Sequence, residues 1–167
     1  MALTQQLARV SLQYLDRCCG VAASASDGDP DWDPPDEDTL DLDWAIWQLL
    51  GFYRRMQPDA WQIAVLERSI RGDDSDPIAF LDHPGVYDGF DGPPALLTPA
   101  AVTEVAHALA AMDIGHLLER LPAYREVGGF SAFSGDPRAY LTEHFALLQS
   151  FYEFAGQRGM AVVVWVD

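Results

Sequence analysis

The chain has 167 residues, of which 49% are hydrophobic, and this is enough for one domain with a sizeable core. Its 26 acidic residues against 10 arginines give a net charge of −16, which argues against direct binding to nucleic acid or to an anionic membrane, because both need clustered basic residues. No apolar run reaches the roughly 20 residues of a membrane-spanning helix. Cys18 and Cys19 are adjacent and lack the spacing of a redox motif, so we expect reduced thiols and a cytoplasmic location.

The N-terminal residues predict a strand followed by a short helix. Residues 2–10 end in the alternating pattern LARV, which is typical of a strand. Ser11 is a suitable N-cap for a helix over 11–19, and Gly20 is expected to end that helix.

Residues 23–38 form an acidic loop with three prolines, and we expect it to be exposed. Its aspartates from Asp27 onwards follow the start of a calcium-binding pattern. The sixth position, however, is Trp32 where the calcium loop needs glycine, and the twelfth is Asp38 where it needs glutamate. The pattern therefore favours a solvated acidic loop over a calcium site, and we assign no metal or cofactor.

A tryptophan-bearing helix is predicted over 39–52, with Asp41 or Asp43 as its cap. Trp44 and Trp47 lie on its broad apolar face. Two such side chains could form a ligand platform, although tryptophans at helical spacing are more often core or interface anchors.

A further helix over 60–72 precedes a second irregular region at 73–94, which is rich in Pro, Gly and Asp. Loops that mix aromatic and polar side chains often hold binding sites. The candidate side chains here are Asp82, His83, Tyr87 and Asp88. One histidine beside acids is nevertheless common by chance, and a metal or catalytic site needs several converging groups.

A short strand at 95–97 and a helix over 99–112 are predicted next. Glu104 and His107 are three residues apart on that helix, but an E-x-x-H metal site needs a second such pair, which the sequence lacks. An intrahelical hydrogen bond between them is the simpler interpretation. A short helix and a glycine-rich connector at 122–135 follow, without a nucleophile-elbow or dinucleotide motif.

The C-terminal part predicts a long helix and a strand. Asp136 and Pro137 form a helix start, and the apolar positions then recur at helical spacing: Leu141, Phe145, Leu148, Tyr152 and Ala155. Residues 160–166 are continuously apolar, which indicates a strand buried on both faces. We expect the N-terminal strand as its partner. The order of elements predicts an α+β fold, with a small mixed or antiparallel sheet formed by the N- and C-terminal strands and about five to six helices.

Four stretches resemble the YfbM-like family, catalogued as domain of unknown function 1877: TQQLARVS, LDLDWA, LLTPAAVTEVAHAL and the segment from Asp136 to Asp167. The resemblance covers nearly the whole chain and implies a single α+β domain over 1–167, bacterial and cytoplasmic. It implies no activity, so it transfers no catalytic residue. The chain departs from the family mainly in its acidic loop, and a role for that loop would be its own.

Two functions remain open on the sequence. The first is a binding protein of the immunity or inhibitor type without catalysis, since the charge and the acidic loop suit a basic protein partner. The second is a small-molecule-binding protein or enzyme with a pocket between the 73–94 loop and the 99–112 helix. The candidate ligand or partner surface comprises Asp41, Asp43, Trp44, Asp82, His83, Tyr87, Asp88, Glu104 and His107.

Overall fold

A computed structural model describes residues 3–56, 59–120 and 134–167, so the predicted connector at 122–135 lies largely outside the described residues. The four strands in these ranges are β1 (Gln5–Val10), β2 (Thr39–Asp41), β3 (Phe90–Leu97) and β4 (Ala161–Val166). The six α-helices are α1 (Leu12–Ser24), α2 (Ala45–Met56), α3 (Ala60–Arg71), α4 (Pro99–Ala110), α5 (Ile114–Glu119) and α6 (Pro137–Gln157). Two 3-10 segments lie at Asp36–Asp38 and Asp76–Leu81.

The strands form one antiparallel sheet in the order β2-β1-β4-β3. β4 lies between β1 and β3, with Leu7 opposite Val164 on one side and Leu96 opposite Val163 on the other. The α+β fold and the pairing of the N- and C-terminal strands are therefore confirmed. Among the described residues, no helix is both long and apolar enough to cross a membrane.

The sheet has a hydrophobic cluster on each face. Leu7, Val162 and Val164 pack against α2 to α6 in the larger cluster. Ala8 and Val163 point to the opposite face and pack with α1 and the 76–81 segment in the smaller one. Because successive side chains of a strand alternate between the faces, β4 has to be apolar at every position, which explains its unbroken run of hydrophobic residues.

Helix α6 is the principal helix of the larger cluster, as its spacing predicts. Asp136 caps it by accepting a hydrogen bond from the Arg138 backbone N–H at 2.9 Å. Tyr152 is fully buried, and its hydroxyl donates to the carbonyl of Ser69 in α3 at 2.7 Å, which ties the two helices together. His144 is half-buried, with Nδ1 2.8 Å from the Tyr140 carbonyl, so the helix itself accounts for it.

Gly72 makes the tight exit from α3 possible. Its φ of 69° and ψ of −172° lie in a region that residues with a side chain avoid. A Cβ at this position would lie 2.8 Å from the Cβ of Ala95 in β3. The absence of a side chain therefore lets the chain pass directly against the sheet.

Two predicted helix boundaries are wrong. Gly20 does not end α1, which runs on to Ser24, because Gly20 does not adopt the left-handed conformation of a helix-ending glycine and the alanines that follow it favour helix. Residues 39–41 are not helical but pair with β1 as β2. The Asp41 side chain accepts from the Asp43 N–H at 2.7 Å, Asp43 turns the backbone at φ 50°, and α2 begins only at Ala45.

Candidate functional site

The acidic loop contains a strip of residues 27–34 in which exposed and covered positions alternate. The four carboxylates at its odd positions are exposed: Asp27, Asp29, Asp31 and Asp33. The intervening residues are partly or fully covered, and Pro30 is buried. We call this segment the acidic strip. The loop is therefore more than the solvated segment that its composition indicates, since one side of it is packed against the protein.

Trp32 is the main anchor of the acidic strip. Its ring meets Tyr14 of α1 edge-on with centroids 5.6 Å apart, and Trp165 of β4 edge-on at 6.1 Å. The Asp33 backbone N–H also donates to the Tyr14 hydroxyl at 2.9 Å. The strip is thus fixed to the sheet face that carries the smaller hydrophobic cluster.

Local hydrogen bonds set the backbone of the acidic strip without neutralising its charge. Asp27 accepts from the Asp29 N–H at 3.3 Å, and Asp29 accepts from the Asp31 N–H at 2.9 Å. Asp31 also lies 3.6 Å from the Arg17 guanidinium, but both side chains are exposed, so this ion pair is weak. The strip consequently presents four charges to solvent on a defined backbone.

Asp82, His83, Tyr87 and Asp88 lie together around a recess of about 210 Å³, to which the 99–112 helix contributes no lining residue. Tyr87 donates to Asp82 Oδ1 at 2.7 Å, and burial, with this bond to a carboxylate, raises the pKa of Tyr87 to about 12. The Gly85 N–H donates to His83 Nδ1 at 3.0 Å, so the proton of the neutral imidazole is on Nε2.

Asp41, Asp43 and Trp44 lie elsewhere, at the turn between β2 and α2. Asp43 accepts from the Tyr140 hydroxyl at 2.8 Å, and burial, reinforced by this bond, raises the Tyr140 pKa. Trp44 is half-buried with its ring centroid 6.0 Å from that of Trp47. These contacts join the turn to α6 and α2, which is a structural role.

The hydrogen bond expected between Glu104 and His107 is not formed, because Glu104 pairs with Arg68 instead. Arg68 donates through Nη1 to Glu104 at 2.8 Å and through Nε and Nη2 to Asp73, and these bonds, to Asp73 above all, raise the Arg68 pKa. His107 instead lines an open groove of about 550 Å³ between α4 and α6. Glu104 thus belongs to a surface ion-pair network.

His83 and His107 are not brought into one recess. Tyr87, close to His83, packs in the smaller cluster, whereas Val105 of α4 packs in the larger cluster on the other face of the sheet. Within the described ranges, no group of three or more His, Cys, Asp and Glu side chains is placed to hold a metal ion.

Sequence reasoning missed the structural role of Trp32 and the contribution of Phe80 and Cys19 to a second recess beside His83. One signal for the strip was present, namely aspartates at every second position from Asp27 to Asp33, although its backbone is a series of turns with Gly28 at φ 82° and Asp31 at φ 52°.

A family model described as a domain of unknown function (DUF1877) matches residues 30–165. The chain belongs to the DUF1877 family. The DUF1877 match begins inside the acidic strip and ends in β4, so β1 and α1 precede the matched span. Comparison with curated proteins and with solved structures gives no match.

Proposed function

We propose that the chain is a binding protein whose acidic strip docks a basic protein partner. The observation that carries the proposal is the alternation of the strip: four exposed aspartates on one side, and Pro30 and Trp32 packed against the protein on the other. A fixed array of charges loses less conformational freedom on binding than a mobile loop with the same composition.

The charge of the whole chain supports the same proposal. A net charge of −16 attracts basic proteins over distances comparable with the screening length of about 8 Å at physiological ionic strength. Such attraction mainly raises the association rate and excludes acidic competitors, while contacts at the docked surface set the lifetime of the complex. Immunity and inhibitor proteins that neutralise a basic target would use an acidic surface in this way.

The test compares wild type with two variants of equal charge. The strip variant replaces all four aspartates with asparagine, which keeps the side-chain oxygen that accepts the local backbone hydrogen bonds. The control variant neutralises four exposed acids on the face of the sheet that α2 to α6 cover: Asp59→Asn, Glu119→Gln, Glu143→Gln and Glu153→Gln. Each variant therefore has a net charge less negative by four than the −16 of wild type.

Each protein is immobilised and exposed at low salt to a lysate of the cells that express the chain, and bound proteins are quantified by mass spectrometry. We expect a basic protein to be captured by wild type and by the control variant and lost with the strip variant. Its association rate, measured by stopped flow, should fall about tenfold for the strip variant. Equal loss with both variants would show that net charge alone is responsible and would overturn the proposal, as would capture of no basic protein.

A further inference from the structure

The acidic strip continues into a second recess, which we call the α1 recess. It lies between the C-terminal half of α1 and the 76–81 segment and has a volume of about 420 Å³. Ala22, Ala23 and Phe80 supply apolar lining, and Cys19 also lines the recess. Asp82 and His83 line both this recess and the smaller one beside Tyr87.

Carboxylates lie at two different boundaries of the α1 recess. Asp27 is contributed by the first position of the acidic strip, and Asp82 by the residue after the 76–81 segment. Asp82 accepts the Tyr87 hydroxyl at Oδ1, so among the described contacts its Oδ2 is left for another donor. His83 accepts the Gly85 N–H at Nδ1, so its Nε2 is the ring nitrogen left to donate.

We propose that the α1 recess receives an arginine side chain, with its adjoining backbone, from the basic partner. This inference rests on the proposed function and specifies which side chain of the partner binds at this site. The aliphatic part of an arginine suits the apolar lining, and its planar guanidinium suits an aromatic ring with carboxylates beside it. Phe80, Asp27 and Asp82 supply these groups.

The charge around the recess excludes an anionic occupant. No arginine is among the described residues that line either recess, while Asp27, Asp82 and Asp88 are. Asp29 is also close, since its Oδ1 would lie 3.6 Å from a Cβ placed on Gly85. A phosphate or carboxylate ligand would meet only like charge here, whereas a guanidinium finds acceptors in more than one direction.

The rate at which Cys19 is alkylated reports whether the α1 recess is occupied. Cys19 is exposed and lines the recess, whereas Cys18 is buried, so an alkylating reagent should modify Cys19 selectively. The probes are three blocked tripeptides with a central arginine, lysine or citrulline, citrulline having nearly the shape of arginine without its charge. The rate of alkylation by iodoacetamide is followed by mass spectrometry, and the Cys19→Ser variant checks that Cys18 is not labelled.

The arginine tripeptide should slow the alkylation of Cys19 in a saturable manner. The lysine tripeptide should need a several-fold higher concentration, and citrulline should have little effect. Asp82→Asn, which keeps the acceptor for Tyr87, should weaken protection by arginine about three- to fivefold, as expected for one partly exposed charge pair. Phe80→Leu should weaken it while keeping apolar volume, and Glu119→Gln on the other side of the sheet should leave it unchanged.

Equal protection by citrulline or lysine, or none by arginine, overturns the inference. The experiments distinguish failure of the arginine site from failure of the proposed docking function. If a partner is captured through the strip but arginine gives no protection, the recess assignment alone is wrong. If arginine protects Cys19 but no basic protein is captured, the recess binds the side chain as described and the protein partner of the strip is wrong.

Discussion

Replacement of Trp32 by alanine should destabilise the protein although Trp32 belongs to an irregular acidic loop. The substitution removes two edge-on aromatic contacts, with Tyr14 and with Trp165, each of which contributes roughly 1 kcal/mol. A fully buried Trp→Ala change costs about 3–5 kcal/mol, and Trp32 is only partly buried. Together these considerations predict a loss of about 2–3 kcal/mol in the free energy of unfolding.

Urea unfolding followed by far-ultraviolet circular dichroism measures this loss without depending on tryptophan emission. The matched control is Trp61→Ala on α3, where the residue is 42% exposed and a cost below about 1 kcal/mol is expected. Cleavage of residues 25–35 by a broad-specificity protease should also accelerate in the Trp32 variant. A change below about 0.5 kcal/mol without faster cleavage would show that the loop is merely solvated, and would remove the physical basis of the proposed docking surface.

Gly72→Ala should lower the free energy of unfolding by about 3 kcal/mol, since it combines a backbone conformation that alanine avoids with a 2.8 Å contact to Ala95. The same change at Gly20 in α1 should be neutral or stabilising by up to about 1 kcal/mol, and thermal unfolding of the two variants measures both effects. Tyr152→Phe should cost about 1 kcal/mol because it leaves the Ser69 carbonyl unpaired. Tyr53→Phe should be neutral or stabilising because the Tyr53 hydroxyl is buried with no hydrogen-bond partner among the described residues, and a loss as large as that of Tyr152→Phe would contradict this account. Burial, with a contribution from a nearby aspartate, raises the pKa of Tyr53 to about 12, above the value near 10 of an unfolded chain. The contribution of Tyr53 to stability should therefore be constant below about pH 10 and fall towards pH 12, so Tyr53→Phe should reduce the alkaline loss of stability, and the part due to Tyr87 and Tyr140 should remain.

The confirmed parts of the fold have strong local patterns. The N-terminal alternation, the unbroken apolar run of β4 and the helical stripe of α6 each determine both the type of element and its burial, so the pairing of β1 with β4 could be inferred. By contrast, β2 has only three residues, and its pairing with Leu7 depends on a strand more than 30 residues away. A single sequence contains no comparable signal for such a contact.

The candidate site was only partly predictable for a related reason. Asp82, His83, Tyr87 and Asp88 are close in sequence, so their clustering required only a compact turn. Whether His83 could meet His107 depended on which face of the sheet each segment covers, and that is set by the register of β3 on β4. The role of Trp32 was hidden because an aspartate- and proline-rich composition indicates disorder, while the alternation of aspartates within it was the signal of a segment with one side packed against the protein.

The position of β4 also has a consequence for the order of folding. β1 and β3 are held in the sheet through β4, which follows both of them in the chain, and the contact of Gln5 with Val166 closes a loop of about 160 residues. Until β4 is available, a β1–β2 pair and the helices have no common surface to pack on. We therefore expect slow, concerted folding in which both hydrophobic clusters form together, and a nascent chain that exposes apolar surface until β4 has been synthesised.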